Sequence, residues 1–348
     1  MSPFRRLYSL LLIPILSAPF AQPALAQTAA PTAGLTRADD PVAHFGQWKR
    51  TIEADLIAGR FDDLDRMADQ YRRDKTRLPG GEWVLHKFYA ALDAPQLTDK
   101  DSMEHIARLE AWIRQRPESI TARVALATSL HRWAWVARGN GFANTVTATG
   151  WQLFGERIMR SQQVLLDAEK LHTMCPQWYS EMMTVGLAQS WDARQMQDTF
   201  ERGIQFEPDY YYLYKQYANY LLPKWDGKPG DASAFAKTSA DRLGGDAGDT
   251  LYFEIATVLI SRSNGNFPVH ELNWERIQSG YKALCVQYGG DSVRHNELAY
   301  MAYKFKDTTV ARRQFERIGD NWSKSVWRER AFFDRARDWS HGVQAGNF

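Results

Sequence analysis

Two segments of the chain begin alike at a spacing of 32 residues, Cys175-Pro176-Gln177-Trp178-Tyr179 and Glu207-Pro208-Asp209-Tyr210-Tyr211. Each sets a proline before an aromatic pair and a helical pattern. At the same offset Met182 aligns with Tyr214, Val185 with Tyr217 and Gly186 with Ala218. A period of this length belongs to stacked helical hairpins, because one hairpin cannot bury its apolar side alone and needs a neighbour of the same kind. The fold class this predicts is all-α, a solenoid of antiparallel helix pairs whose default role is a binding surface.

The rest of the chain agrees with that period. Leu64, Met67, Ala68 and Tyr71 form an apolar face at helical spacing, as do Tyr281, Leu284, Cys285 and Tyr288, and Leu298, Met301, Ala302 and Phe305. No comparable run alternates with period two, so almost no sheet is expected. Gly80-Gly81-Glu82, Gly244-Gly245-Asp246 and Gly289-Gly290-Asp291 each read as a helix-ending glycine followed by an acid that opens the next helix. Pro117, Pro176 and Pro208 mark further entries. About fifteen helices follow from this punctuation. Loops are expected at 139–147, 223–230 and 263–268.

Residues 1–26 have the three parts of a secretory signal: Arg5 and Arg6, the apolar run from Leu7 to Leu16, and Ala24-Leu25-Ala26 as the cleavage site. Pro14 and Pro19 interrupt the run, which falls short of the roughly 20 apolar residues of a membrane span. An exported chain, periplasmic or secreted, with no stable membrane anchor after cleavage is the expectation. Residues 27–41, rich in Ala, Thr and Pro, read as a disordered lead-in, and 42–348 as a single helical-repeat domain. The leader holds two of the 43 basic residues and none of the 41 acidic ones, so the remainder is formally neutral. Neutrality gives no electrostatic pull toward nucleic acid or acidic lipid. The densest basic cluster, Arg72, Arg73, Lys75 and Arg77, ends a helix opened by Asp62, Asp63 and Asp65, and reads as a solvated helix end that complements the macrodipole.

Motifs that carry chemistry have characteristic spacings. There is no Cys-x-x-Cys, no His-Glu-x-x-His, no glycine-rich phosphate loop and no Gly-x-Ser-x-Gly elbow. Neither a metal nor a cofactor is expected. Cys175 and Cys285 are the only cysteines, and a stack in which each repeat touches its neighbours keeps them apart. Aromatic residues are abundant, with 13 Trp, 15 Tyr and 17 Phe, and most must be core. Some cannot all turn inward. Tyr210, Tyr214 and Tyr217 share one helical face, which leaves Tyr211 and Tyr220 as groove candidates, and Trp133 and Trp135 cannot both be buried on one ideal helix. Candidate binding residues are therefore Trp135 with Arg138, Tyr211, Tyr220, and Trp225 with Asp226.

The segment before Pro208 keeps Phe200, Gly203 and the closing proline of the tetratricopeptide pattern, without the Trp-Leu-Gly-Tyr signature of its first helix. Three stretches go further: Phe61-Asp62-Asp63-Leu64-Asp65 with Gly81-Glu82-Trp83; Arg116-Pro117-Glu118-Ser119 with Ala134-Trp135-Val136-Ala137-Arg138-Gly139; and Tyr220-Leu221-Leu222-Pro223-Lys224-Trp225. Together they resemble a bacterial family of unassigned function, the domain of unknown function 4034 group, whose members look like divergent tetratricopeptide-type repeats. The resemblance implies a fold and an export route, not a reaction. Two functions are then in play. One is a non-catalytic scaffold that recognises a protein or peptide partner on its concave face. The other is a glycan-active enzyme on a helical toroid, which needs two carboxylates flanking one bond; Glu156, Asp192, Asp226 and Asp249 are its candidates.

Overall fold

In a computed structural model, residues 45–93, 98–139, 141–263 and 266–342 are described, and they belong to one compact unit spanning 37–348. The expected signal, the lead-in and part of the 263–268 loop lie outside the described residues. Among the described residues there are sixteen α-helices and no strand: α1 (Phe45–Ala58), α2 (Phe61–Asp74), α3 (Val84–Leu92), α4 (Asp99–Gln115), α5 (Ile120–Arg138), α6 (Ala148–Glu169), α7 (Pro176–Ala188), α8 (Ala193–Phe206), α9 (Tyr212–Tyr220), α10 (Asp231–Leu243), α11 (Gly245–Arg262), α12 (Trp274–Tyr288), α13 (Ser292–Phe305), α14 (Thr308–Ile318), α15 (Lys324–Trp327) and α16 (Arg330–Ser340).

The helix boundaries follow local chemistry. Pro176 opens α7, Asp192 and Gln195 form a capping box on α8, and Asp291 accepts from the Arg294 amide to cap α13. Gly244 and Gly289 end α10 and α12 with φ of 70° and 78°. Packing is serial: α4 on α5, α5 on α6, α7 on α8, α10 on α11, α11 on α12, α13 on α14. The 32-residue recurrence is real in three dimensions, since α7 and α9 pack on each other and share α8, with Met182, Val185, Tyr214, Tyr217 and Ala218 all buried. Gly203 of α8 permits this approach, because a Cβ there would lie 2.9 Å from Leu213 and 3.1 Å from Tyr179. Cys175 and Cys285 are both free thiols.

One connection departs from the sequence reading. Gly80 and Gly81 do not end a helix; they form the tip of a turn closed by an isolated bridge between Arg77 and Trp83. The basic cluster is a solvated helix end only in part: Arg72 and Arg73 close α2 opposite Asp62 and Asp63, and Arg73 is exposed, but the other members have distant partners. Arg72 is buried and donates to Thr121 Oγ1 at 3.0 Å, Lys75 pairs with Glu207 at 2.8 Å, and Arg77 pairs with Asp209 at 2.9 Å while its guanidinium lies 3.6 Å from the centre of the Trp83 ring. The Gly80 amide donates to Gly289 O at 2.9 Å, and Arg294 Nε donates to Gly80 O at 2.8 Å. Loop 75–83 thus ties the first hairpins to α9, α12 and α13, contrary to a stack in which each hairpin meets only the ones beside it.

Two apolar cores result. The larger runs from Trp48 to Met301; the smaller gathers Ala299, Ala302, Phe315, Ile318, Trp327 and Phe333, and Tyr300 and Trp274 pack against both.

Candidate functional site

The sequence-chosen residues fall in three places. On α5, Arg138 lies 5.5 Å from the Trp135 ring and 5.4 Å from that of Trp151, and it donates to Gly139 O and Gly141 O. Exposed Val136, Phe142 and Trp151 make this end of α5 and α6 apolar at the surface. In the second place, Tyr220 is buried at 2% exposure and its hydroxyl donates to Asp226 at 2.6 Å, so it serves the turn at 221–230 and does not line a groove. Trp225 in that turn is 40% exposed, with Lys224 near its ring. Third, Tyr211 is half-buried beside Arg77, Trp83 and Tyr288. The space left among these side chains is about 20 Å³, room for one water molecule and little else.

Each carboxylate considered for glycan chemistry already serves its own surroundings. Asp192 caps α8, Asp226 takes the Tyr220 hydroxyl, Asp249 pairs with Arg276 at 2.8 Å, and exposed Glu156 accepts from Gln152.

A wider opening lies elsewhere, at the seam between the two cores. A cleft of about 450 Å³ separates α11 and α13 from the 324–335 segment. Apolar Ile260 and Met301 come from the larger core, and Trp327 and Phe332 from the smaller. The Tyr300 ring stands edge-on to Trp327 at 5.3 Å and to Phe332 at 6.0 Å, so three rings form a corner. Trp327 is fixed from behind by its N–H, which donates to Asn296 Oδ1 at 2.8 Å.

Charged groups of both signs share this cleft. Glu297 is 19% exposed at its side chain and accepts from Arg294 Nη1 at 2.8 Å. Arg294 also pairs with Glu254, which takes Lys215 Nζ at 2.7 Å. Burial works against ionisation of both acids. At Glu254 the two cations outweigh it and hold the carboxyl below its ordinary value; at Glu297 burial wins and pushes the carboxyl up. Arg328, Glu329 and Arg335 complete the lining. Arg328 has φ of 65° and sits at the centre of a γ-turn, with the Glu329 amide donating to Trp327 O at 2.8 Å. That turn separates α15 from α16 and sets Arg328 and Glu329 at the cleft.

Sequence reasoning missed this cleft. Its residues come from stretches around 257–261, 297–301 and 325–335, and no periodicity announces that two cores part there. The one local signal was Trp327-Arg328-Glu329-Arg330, a charged run directly after a tryptophan.

Fold and cleft define an all-α helical-repeat protein. Residues 51–188 match the family model described as Domain of unknown function (DUF4034). The match covers most of α1 through the end of α7; it includes the first two stretches on which the resemblance rests, and the third lies beyond it, as does the cleft. No curated protein matches the chain.

Proposed function

We propose that the chain is an exported, non-catalytic binding protein that recognises a protein or peptide partner, and that the partner enters the seam cleft. The observation that carries this reading is the cleft itself: about 450 Å³, a volume ordinary for ligand sites, walled by three mutually perpendicular rings and bearing both signs of charge. Extended segments are held by such mixtures, apolar walls for side chains and charged rims for the backbone and its neighbours. The surface of α9 and α12 is less suited to a partner, because loop 75–83 already covers it. Export is supported by the three-part pattern of residues 1–26, and among the described residues no helix is long and apolar enough to cross a membrane.

A peptide library screened against the purified chain and its Tyr300→Ala/Phe332→Ala variant tests the reading. Peptides that bind the wild type and lose at least about tenfold in affinity on the variant are expected, which is roughly 1.4 kcal/mol. Turnover of a cell-wall glycan by a chain that binds no peptide would instead support the glycan-active reading.

A further inference from the structure

We propose that the cleft receives a single lysine or arginine side chain presented on an extended peptide, with its cationic head at Glu297 and its methylenes along Tyr300 and Phe332. The inference rests on the peptide-binding reading and specifies the ligand's chemistry. Four features point to it.

Of the two acids paired with Arg294, Glu297 is the one that reaches the cleft, from α13, while remaining mostly covered. Its one hydrogen bond from Arg294 employs Oε2. Arg294 divides its guanidinium among Glu254, Glu297 and the Gly80 carbonyl, and Lys215 adds a second positive charge felt by Glu297. Burial outweighs both cations and keeps its carboxyl above the ordinary value, so its charged form gains from a further cation placed beside it. A ligand cation supplies that charge.

The walls suit the same group. Trp327, Phe332 and Tyr300 stand at 77° to 86° to one another, with ring centres 5.3 to 6.0 Å apart. Trp327 is buried and backs the corner, so the surface open to a ligand comes from half-buried Tyr300 and Phe332, which take up a hydrocarbon stem and attract a cation at a ring face. Phe332 already does this on the protein's own behalf, with Arg335 5.9 Å from its ring centre.

The rim sets Arg328 and Arg335 against a single acid, Glu329, so it favours a ligand with one positive charge over one with several. Arg328 and Arg335 line the opening, and a second basic residue on the peptide would meet them at close range. Arg335 matches instead the peptide's carbonyls or an acidic neighbour. Finally, a cleft of about 450 Å³ admits one long side chain with its flanking backbone, but no folded domain.

The test compares acetylated pentapeptide amides, alanine at every position but the third, with lysine, norleucine or glutamate there, titrated against the full purified chain by calorimetry. Free lysine and a Lys-Lys-Lys version complete the set. The lysine peptide is expected to bind about tenfold more tightly than the norleucine peptide, which has the same stem without the charge, and more tightly than free lysine or the tribasic peptide. In Glu297→Gln the preference for lysine over norleucine should vanish while the norleucine affinity stays. Should that variant not fold, as circular dichroism would show, Tyr300→Leu should cut lysine-peptide affinity more than norleucine-peptide affinity. Equal affinity for lysine and norleucine peptides, or a preference that survives Glu297→Gln, overturns the proposal and leaves peptide binding standing. Failure of any peptide to bind overturns both.

Discussion

A buried indole must send its N–H somewhere, and this chain solves that problem at each of its five most deeply buried tryptophans. Trp48 donates to the Tyr71 hydroxyl at 2.8 Å, Trp83 to Asp209 O at 3.2 Å, Trp112 to Asp65 at 3.2 Å, Trp178 to Leu165 O at 2.8 Å, and Trp327 to Asn296 at 2.8 Å. The aromatic abundance is therefore mostly core whose polar edges are satisfied. Asp65 is the most exacting of these partners, since it also takes the Ser119 hydroxyl at 2.5 Å, and burial pushes its carboxyl up. Asp65→Ala orphans both donors, and urea unfolding should show a loss of about 2–3 kcal/mol. His86 gives a pH dependence. Its ring stacks on Tyr212 at 3.7 Å, its Nδ1 lies 3.0 Å from Gln177 Oε1, and burial lowers its pKa from 6.5 to about 4. The folded state binds the proton less well than the unfolded chain, so stability is kept above pH 6.5 and falls by roughly 3 kcal/mol as pH drops to about 4. Asp93, pushed up by burial to about 6, and Glu207, pushed up by burial and its Asp209 neighbour to about 7, act oppositely: their contribution is full at low pH and fades as pH rises through those values. Comparing wild type with His86→Phe over pH 4 to 7 isolates the histidine, and the variant should lose the acid-side decline that His86 causes.

At the scale of elements, the 75–83 loop carries more than its length suggests. It brings Gly80 to Gly289, Arg77 to Asp209 and Trp83 to within 4.9 Å of the Tyr210 ring. Gly80 has φ of 81°, and a Cβ on it would lie 2.7 Å from Asp291 Oδ2, the carboxylate side chain that caps α13. Gly80→Ala should accordingly cost about 1–3 kcal/mol in thermal or urea unfolding; an unchanged midpoint would mean that the turn relaxes freely. The sequence made the helix count and the hairpin period legible because both are written locally, in faces such as Leu64, Met67, Ala68 and Tyr71 and in boundary residues such as Pro176 and Gly289. It misled at the basic cluster for the opposite reason. Lys75 and Arg77 follow a helix that opens with three acids, so the macrodipole explained them locally, whereas they lie just past its end and their partners stand 132 residues further on. Tyr220 failed in the same way: helical spacing turned it outward, while the short α9 and the turn after it folded Asp226 back over its hydroxyl.

Across the whole of the described unit, two cores meet at a seam, and Arg294 joins the two long-range features of the fold. On one side it holds the Gly80 carbonyl; on the other it holds Glu297 at the cleft. The candidate residues named from the sequence describe local aromatic surfaces, because spacing reports which way a ring turns and says nothing of where two cores part. Glu297, Tyr300 and Phe332 sit on ordinary helical faces in the sequence, and only their assembly makes a site. Loop 75–83, by its contacts with Asp209, Gly289 and Arg294, fastens distant repeats together, and the unit should open cooperatively. Native-state hydrogen exchange on wild type and Arg77→Ala tests it most directly. Protection should fall together, and by a similar factor, in α2–α3 and in α12–α13, although some 200 residues separate them along the chain. Loss confined to the neighbourhood of residue 77, with α12 and α13 protected as before, would contradict the claim.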